Sequence, residues 1–134
     1  MGKLILMVGL PRSGKTTAAR AMGHPIVSPD AIRLALHGQR YVTLEEPRVW
    51  QTAQLMVRAL FLAGHHTVIL DATNGTRLRR EAWRSDAWER AFHVLETDAE
   101  ICRQRTRDAG DHEIVPVIDR MARAWEPLGD DELS

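Results

Sequence analysis

Residues 9–16 read Gly9-Leu10-Pro11-Arg12-Ser13-Gly14-Lys15-Thr16, and this stretch decides the fold. The spacing is G-x-x-x-x-G-K-[ST], a loop whose glycines let successive backbone N–H groups turn toward one anion. The apolar run Leu4-Ile5-Leu6-Met7-Val8 precedes it, as expected of a strand buried on both faces of a parallel sheet. A helix is predicted over 15–22, with Gly23 and Pro25 as stop signals. Strand, loop and helix in that order are the context this P-loop motif requires. The helix N-terminus adds partial positive charge. Lys15 has the reach for β- and γ-phosphate oxygens, and the Thr16 hydroxyl suits Mg²⁺. The loop therefore reads as a triphosphate cradle for ATP and Mg²⁺, formed by Gly9, Pro11, Arg12, Ser13, Gly14, Lys15, Thr16 and Thr17.

Beyond the loop, strands and helices alternate. Ile26-Val27 reads as a short strand, and Ser28-Pro29 opens a helix to about residue 36 with an N-cap and a first-turn proline. Residues 41–47 read as a loop. Val49, Trp50, Ala53, Met56, Val57 and Leu60 recur at helical spacing over 47–63, and Gly64 caps the end. Residues 67–70 form the clearest second core strand. A helix is expected over 77–90, a strand over 92–95, and helices over 99–107 and 115–125. The polar stretch 108–113 reads as a mobile loop. This alternation predicts a three-layer α/β fold: a parallel sheet flanked by helices, with a short helical lid. A single domain is expected over 1–125, followed by an acidic, frayed tail at 126–134.

The chain has 134 residues and balances 18 basic against 18 acidic side chains, so no overall basic field points to nucleic acid. Four acids sit in the tail, leaving 18 basic against 14 acidic side chains over 1–125. Sixteen of the basic residues are arginines, which suit bidentate phosphate contacts. The single cysteine, Cys102, excludes an internal disulfide and a multi-cysteine zinc site, and fits a reducing cytoplasm. No run approaches the ~20 apolar residues of a membrane span, and the short apolar start does not resemble a signal peptide. Trp50, Trp83, Trp88 and Trp125 are expected to pack helices rather than to stack bases, and no histidine has a metal-site partner set.

The residues after the second core strand narrow the chemistry. Asp71 is succeeded by Ala72, where water-activating ATPases carry a glutamate, and Asn74 stands where a switch GTPase needs glycine. Transfer of the γ-phosphate to a bound hydroxyl is the better reading. Asp71 is placed to hold Thr16 or a Mg²⁺-bound water. Thr73 and Asn74 either bond an acceptor or shape the turn. Asp30 and Arg33 lie one turn apart on one helical face. Asp30, in the first turn, is suited to take the acceptor's proton, and Arg33 to pin an acceptor phosphate. Arg103 and Arg107 share a face before the Gly110 loop and read as lid arginines over the phosphates.

Taken in order, G-L-P-R-S-G-K-T-T, S-P-D-A-I-R, V-I-L-D-A-T-N and R-Q-R-T-R with V-I-D-R-M after it resemble the polynucleotide 5′-hydroxyl kinases and related P-loop kinases, within the P-loop NTPase superfamily and its AAA-type ATPase domains. The resemblance implies an ATP-Mg²⁺-dependent kinase with Lys15 and Thr16 on phosphates and metal. It further implies Asp30 as general base, Arg33 on the acceptor's phosphate, and Arg103 or Arg107 on the ATP phosphates. Relatives in this group act on DNA or RNA ends, modified bases, nucleotide sugars and small molecules. No appended phosphatase or ligase domain, of the kind several of them carry, is expected from these 134 residues. The chain also lacks a strongly basic groove, although Arg33, Arg40, Arg48 and Arg77-Arg79-Arg80 are expected to line a local one. Three readings are open: a kinase of nucleic-acid hydroxyls, above all 5′ ends; a small-metabolite or nucleoside kinase; and an ATP-binding regulatory module without turnover.

Overall fold

The computed structural model describes residues 1–38 and 46–133, so Arg40 and most of the expected 41–47 loop lie outside the described residues. Its order is β1 (Gly2–Val8), α1 (Lys15–Ala21), β2 (Ile26–Val27), α2 (Pro29–His37), α3 (Glu46–Leu62), β3 (Thr67–Leu70), α4 (Arg77–Glu81), β4 (Trp88–Val94), α5 (Ala99–Asp108), a 3-10 turn (His112–Ile114), α6 (Val115–Arg123) and α7 (Asp130–Leu133). The strands pair in parallel in the order β2-β3-β1-β4. All four therefore end on one edge, where ligand sites of open α/β sheets lie.

Alternation along β1 and β3 builds the layers. Leu4, Leu6, Val68 and Leu70 face Val49, Ala53 and Val57 of α3. Ile5, Met7 and Ile69 face Ala18, Ala19 and Met22 on the α1 side. A smaller cluster of Leu10, Cys102 and Ile118 seats α5 and α6 beside the loop after β1. The result is the expected three-layer α/β fold. Ser28 caps α2 by accepting from Ala31 N–H at 3.2 Å, worth about 1 kcal/mol.

Two segments differ from expectation. The helix expected over 77–90 stops at Glu81, and β4 starts at Trp88. Trp83 and Trp88 are both buried; five residues apart on one helix, they would diverge by about 140°, and one would face water. Breaking the helix lets both enter the core, and Trp88 Nε1 then donates to Trp83 O at 2.9 Å.

The tail is not frayed. Trp125 covers Gly75, where an added Cβ would come within 2.8 Å of the indole. Glu132 is buried against a fully buried Arg80, whose Nε donates to its Oε2 at 2.8 Å and Nη2 to Oε1 at 3.1 Å. The remaining Arg80 donors meet the carbonyls of Asn74, Glu126 and Pro127. A composition-based reading of the acidic tail missed its partner, because arginine burial depends on contacts made 52 positions away. Among the described residues, no helix is long and apolar enough to cross a membrane.

Candidate nucleotide and acceptor site

The loop after β1 is held from two sides. Gly9 N–H donates to Thr73 O at 3.0 Å, and Ser13 O accepts from the Thr97 hydroxyl at 2.8 Å. An added Cβ on Gly9 would lie 2.5 Å from Ser13 Oγ, so any side chain there would force the loop open. Arg12 and Gly14 adopt left-handed backbone at φ 65° and 101°. Gly14 takes this conformation freely, while Arg12 takes it at a cost of about 1 kcal/mol or more. Gly14 caps α1 without a side-chain acceptor, leaving helix-end donors for an external anion. Ser13 Oγ is buried without a hydrogen-bond partner among the described residues. An uncapped helix start, an orphaned hydroxyl and a lysine fit a polyphosphate.

Lys15 Nζ donates to Leu10 O at 3.1 Å. Burial pushes its pKa below the ordinary lysine value, opposed by the charges of Asp71 and then Asp30. Asp71 and Asp30 each come just after a strand that ends on the edge carrying the cradle. Thr16 Oγ1 donates to Asp71 Oδ2 at 2.8 Å. A hydroxyl and a carboxylate side by side, beside a phosphate cradle, are hard oxygen donors suited to Mg²⁺.

The turn after β3 divides its residues. Asp71 faces the cradle, and the partly exposed Thr73 lends its carbonyl to Gly9. Asn74 is buried at φ 48° and donates through Nδ2 to Met7 O at 2.8 Å. Through that bond it braces the strand behind the loop, while its Oδ1 is buried with no hydrogen-bond partner among the described residues.

Asp30 and Arg33 meet as their spacing predicts, Arg33 Nη1 donating to Asp30 Oδ1 at 2.7 Å. The Arg33 guanidinium is also gripped by Glu46, through Nε at 2.9 Å and Nη2 at 2.6 Å. Burial works against its charge, but bidentate pairing with Glu46 and the Asp30 contact more than offset this and raise its pKa. Sequence reasoning missed Glu46, the first residue of α3.

The lid helix α5 turns a different arginine to the loop than expected. Arg103 is engaged by Asp119 at 2.6 Å and Glu100 at 3.0 Å, and Arg107 by Glu100 at 3.3 Å. Arg105 Nη1 instead donates to Arg12 O at 3.0 Å, and Arg12 forms an ion pair with Asp111. Inward-facing Cys102 and Thr106 put Arg103 and Arg105 on opposite flanks of α5. Their spacing alone does not say which flank meets the loop. The expected groove of Arg77, Arg79 and Arg80 also separates: Arg80 is buried, Arg77 pairs with Asp131 and Glu81, and Arg79 is exposed.

Known proteins agree with this architecture. A chain of the Pnkp1/Rnl/Hen1 complex is 28% identical, superposing over 78% of this chain and 38% of its own with a TM-score of 0.69. A sugar kinase from Janibacter sp. HTCC2649 is 21% identical, covers 99% of this chain and 83% of its own, and has a TM-score of 0.74. A gluconokinase from Sinorhizobium meliloti 1021 is 20% identical over 98% of this chain and 79% of its own, with a TM-score of 0.63. The chain spans about two fifths of the length of the Pnkp1/Rnl/Hen1 chain it matches. No curated protein matches its sequence. Residues 4–128 match the AAA domain family, so the chain belongs to that family and carries a kinase-like P-loop fold.

Proposed function

We propose that this protein is an ATP-Mg²⁺-dependent kinase that moves the γ-phosphate to a hydroxyl of a nucleic acid, above all a 5′-OH end of DNA or RNA. The observation that carries it is placement: the exposed Asp30 opens α2 just after β2, on the same sheet edge as the Lys15 cradle that follows β1. Asp30 is oriented by Arg33, and Glu46 fixes Arg33. In this reading Lys15 draws β- and γ-phosphate charge. Asp30 takes the acceptor hydroxyl's proton as its oxygen bonds to the γ-phosphorus and the bond to the ADP oxygen breaks. Thr16 and Asp71 would hold Mg²⁺, directly and through water; the ion supplies charge neutralisation on the phosphates when bound. Arg105, rather than Arg103 or Arg107, is the lid arginine for the transferring group. No glutamate comes after Asp71 to activate water, which favours a hydroxyl acceptor over hydrolysis.

The nucleic-acid acceptor draws support from the 28% likeness to a chain of the Pnkp1/Rnl/Hen1 complex, an RNA repair complex, and from the sixteen arginines. A second reading, a small-hydroxyl kinase, is favoured by the fold shared with the sugar kinase over 99% of the chain. A cytoplasmic setting fits the lone buried thiol of Cys102. Mass spectrometry of products after incubation with ATP-Mg²⁺ separates the acceptors. A gain of one phosphate on 5′-OH DNA or RNA supports the first reading. A gain only on sugars, sugar acids or nucleosides supports the second. No phosphorylated product from any acceptor sinks both.

A further inference from the structure

Arg33 is the natural choice for an acceptor phosphate, yet it has little left to offer. Its Nε, Nη1 and Nη2 already donate to Glu46 and Asp30. A guanidinium facing two carboxylates presents a locally negative surrounding to an incoming anion.

Arg79, on α4, is different. It is exposed, and among the described residues no carboxylate pairs with it. Its guanidinium lies 4.8 Å from the centroid of the Trp50 ring, and that of Arg33 lies 5.9 Å from the same ring. Stacking occupies the face of the guanidinium and leaves its in-plane N–H fork open for a phosphate. A cleft of about 290 Å³ opens between α3 and α4, lined by Glu46, Trp50, Gln54, Arg79, Ala82 and Trp83. Asp30, Arg33, Trp50 and Arg79 thus form one continuous row from the proposed base to this cleft. Glu46 on its wall is matched by Arg33, leaving Arg79 as the unneutralised charge there.

We infer that Arg79 is the anion-binding residue of the acceptor cleft. It takes a backbone phosphodiester of a single-stranded nucleic acid, while Arg33 serves to orient Asp30. The inference rests on the kinase reading above and deepens it, since an uncharged sugar would gain nothing from Arg79.

Binding is read without turnover, so the two can fail separately. Fluorescence anisotropy of a 3′-labelled, 5′-OH DNA strand is measured against salt for wild type, Arg79→Ala, Arg79→Lys and Arg84→Ala. Arg79→Ala should weaken binding about tenfold or more, and flatten the log–log salt slope by about 0.7. Arg79→Lys should restore the slope but only part of the affinity. Arg84→Ala, which removes an exposed charge paired with Glu81, should leave both unchanged. ATP affinity should be equal in all four. Equal strand binding by wild type and Arg79→Ala would overturn the assignment, as would an equal loss in Arg84→Ala. Wild type that binds ATP but no strand would overturn it too, leaving the donor site intact. Wild type that binds the strand but not ATP would instead sink the kinase reading.

Discussion

Thr16 and Asp71 stand 55 positions apart in sequence and meet at 2.8 Å, Oγ1 to Oδ2, where neighbouring strands β1 and β3 end. The pairing results from the parallel register, which brings Leu6 opposite Leu70 and so aligns the two strand ends. If the pair holds Mg²⁺, Asp71→Asn should raise the Mg²⁺ concentration needed for half-maximal transfer about 10–100-fold. Activity titrated with Mg²⁺ at fixed ATP checks this. An unshifted midpoint would remove Asp71 from the metal site.

Lys15 gives a pH signature. Burial depresses its pKa, so the charge that attracts phosphate is lost as pH rises through a value below the ordinary ~10.4. ATP affinity, measured by calorimetry at rising pH, should fall on the alkaline side before a free lysine titrates. In Lys15→Arg that alkaline limb should vanish, whatever the absolute affinity, because arginine stays charged.

The lid distinguishes three arginines. Arg105→Ala should lower kcat by about 100-fold if its fork turns from Arg12 O to the transferring phosphate. Arg103→Ala and Arg107→Ala break contacts with Asp119 and Glu100 and should change kcat by less than about tenfold. Steady-state kinetics of the three variants test this, and a larger loss in Arg103→Ala would return the role to that residue.

Arg80 and Glu132 tie the end of the chain to the turn behind the P-loop. Removing one partner strands a buried charge, so Arg80→Ala should cost about 3–5 kcal/mol in denaturant unfolding. Burial works against the Glu132 carboxylate, but Arg80 and the Gly129 N–H hold its pKa below the ordinary value. Its stabilisation is therefore full above the unfolded carboxylate pKa of ~4.3 and is lost as pH falls through the lower folded value. Glu132→Gln should show a shallower loss of stability below about pH 4.3 than wild type.

The cradle was legible because residues 9–16 encode a backbone shape and a charge together, and the flanking apolar runs state where strand and helix fall. Asp30 and Arg33 were legible because both lie on one helix, where spacing maps directly onto distance. Glu46 and Thr97 were not, since each acts across elements whose packing no local period reveals; Arg79 was legible as part of a basic groove, but not its stacking on Trp50. The same limit hid Arg105: Cys102 and Thr106 mark the inward face of α5, but the flank that meets Arg12 depends on how the helix is docked. The acidic tail misled for a related reason. Charge in a segment suggests solvent until a buried arginine is found to receive it.

In the proposed reaction Asp30 takes a proton from a hydroxyl receiving the γ-phosphate from the Lys15 cradle. The most direct measurement is transfer from γ-labelled ATP to a 5′-OH oligonucleotide by wild type and Asp30→Asn, with ATP affinity measured beside it. Label should appear on the 5′ end, with kcat lowered at least ~100-fold in Asp30→Asn and ATP affinity unchanged. Equal transfer by both proteins, or ATP consumed by wild type with release of free phosphate alone, would contradict that reaction.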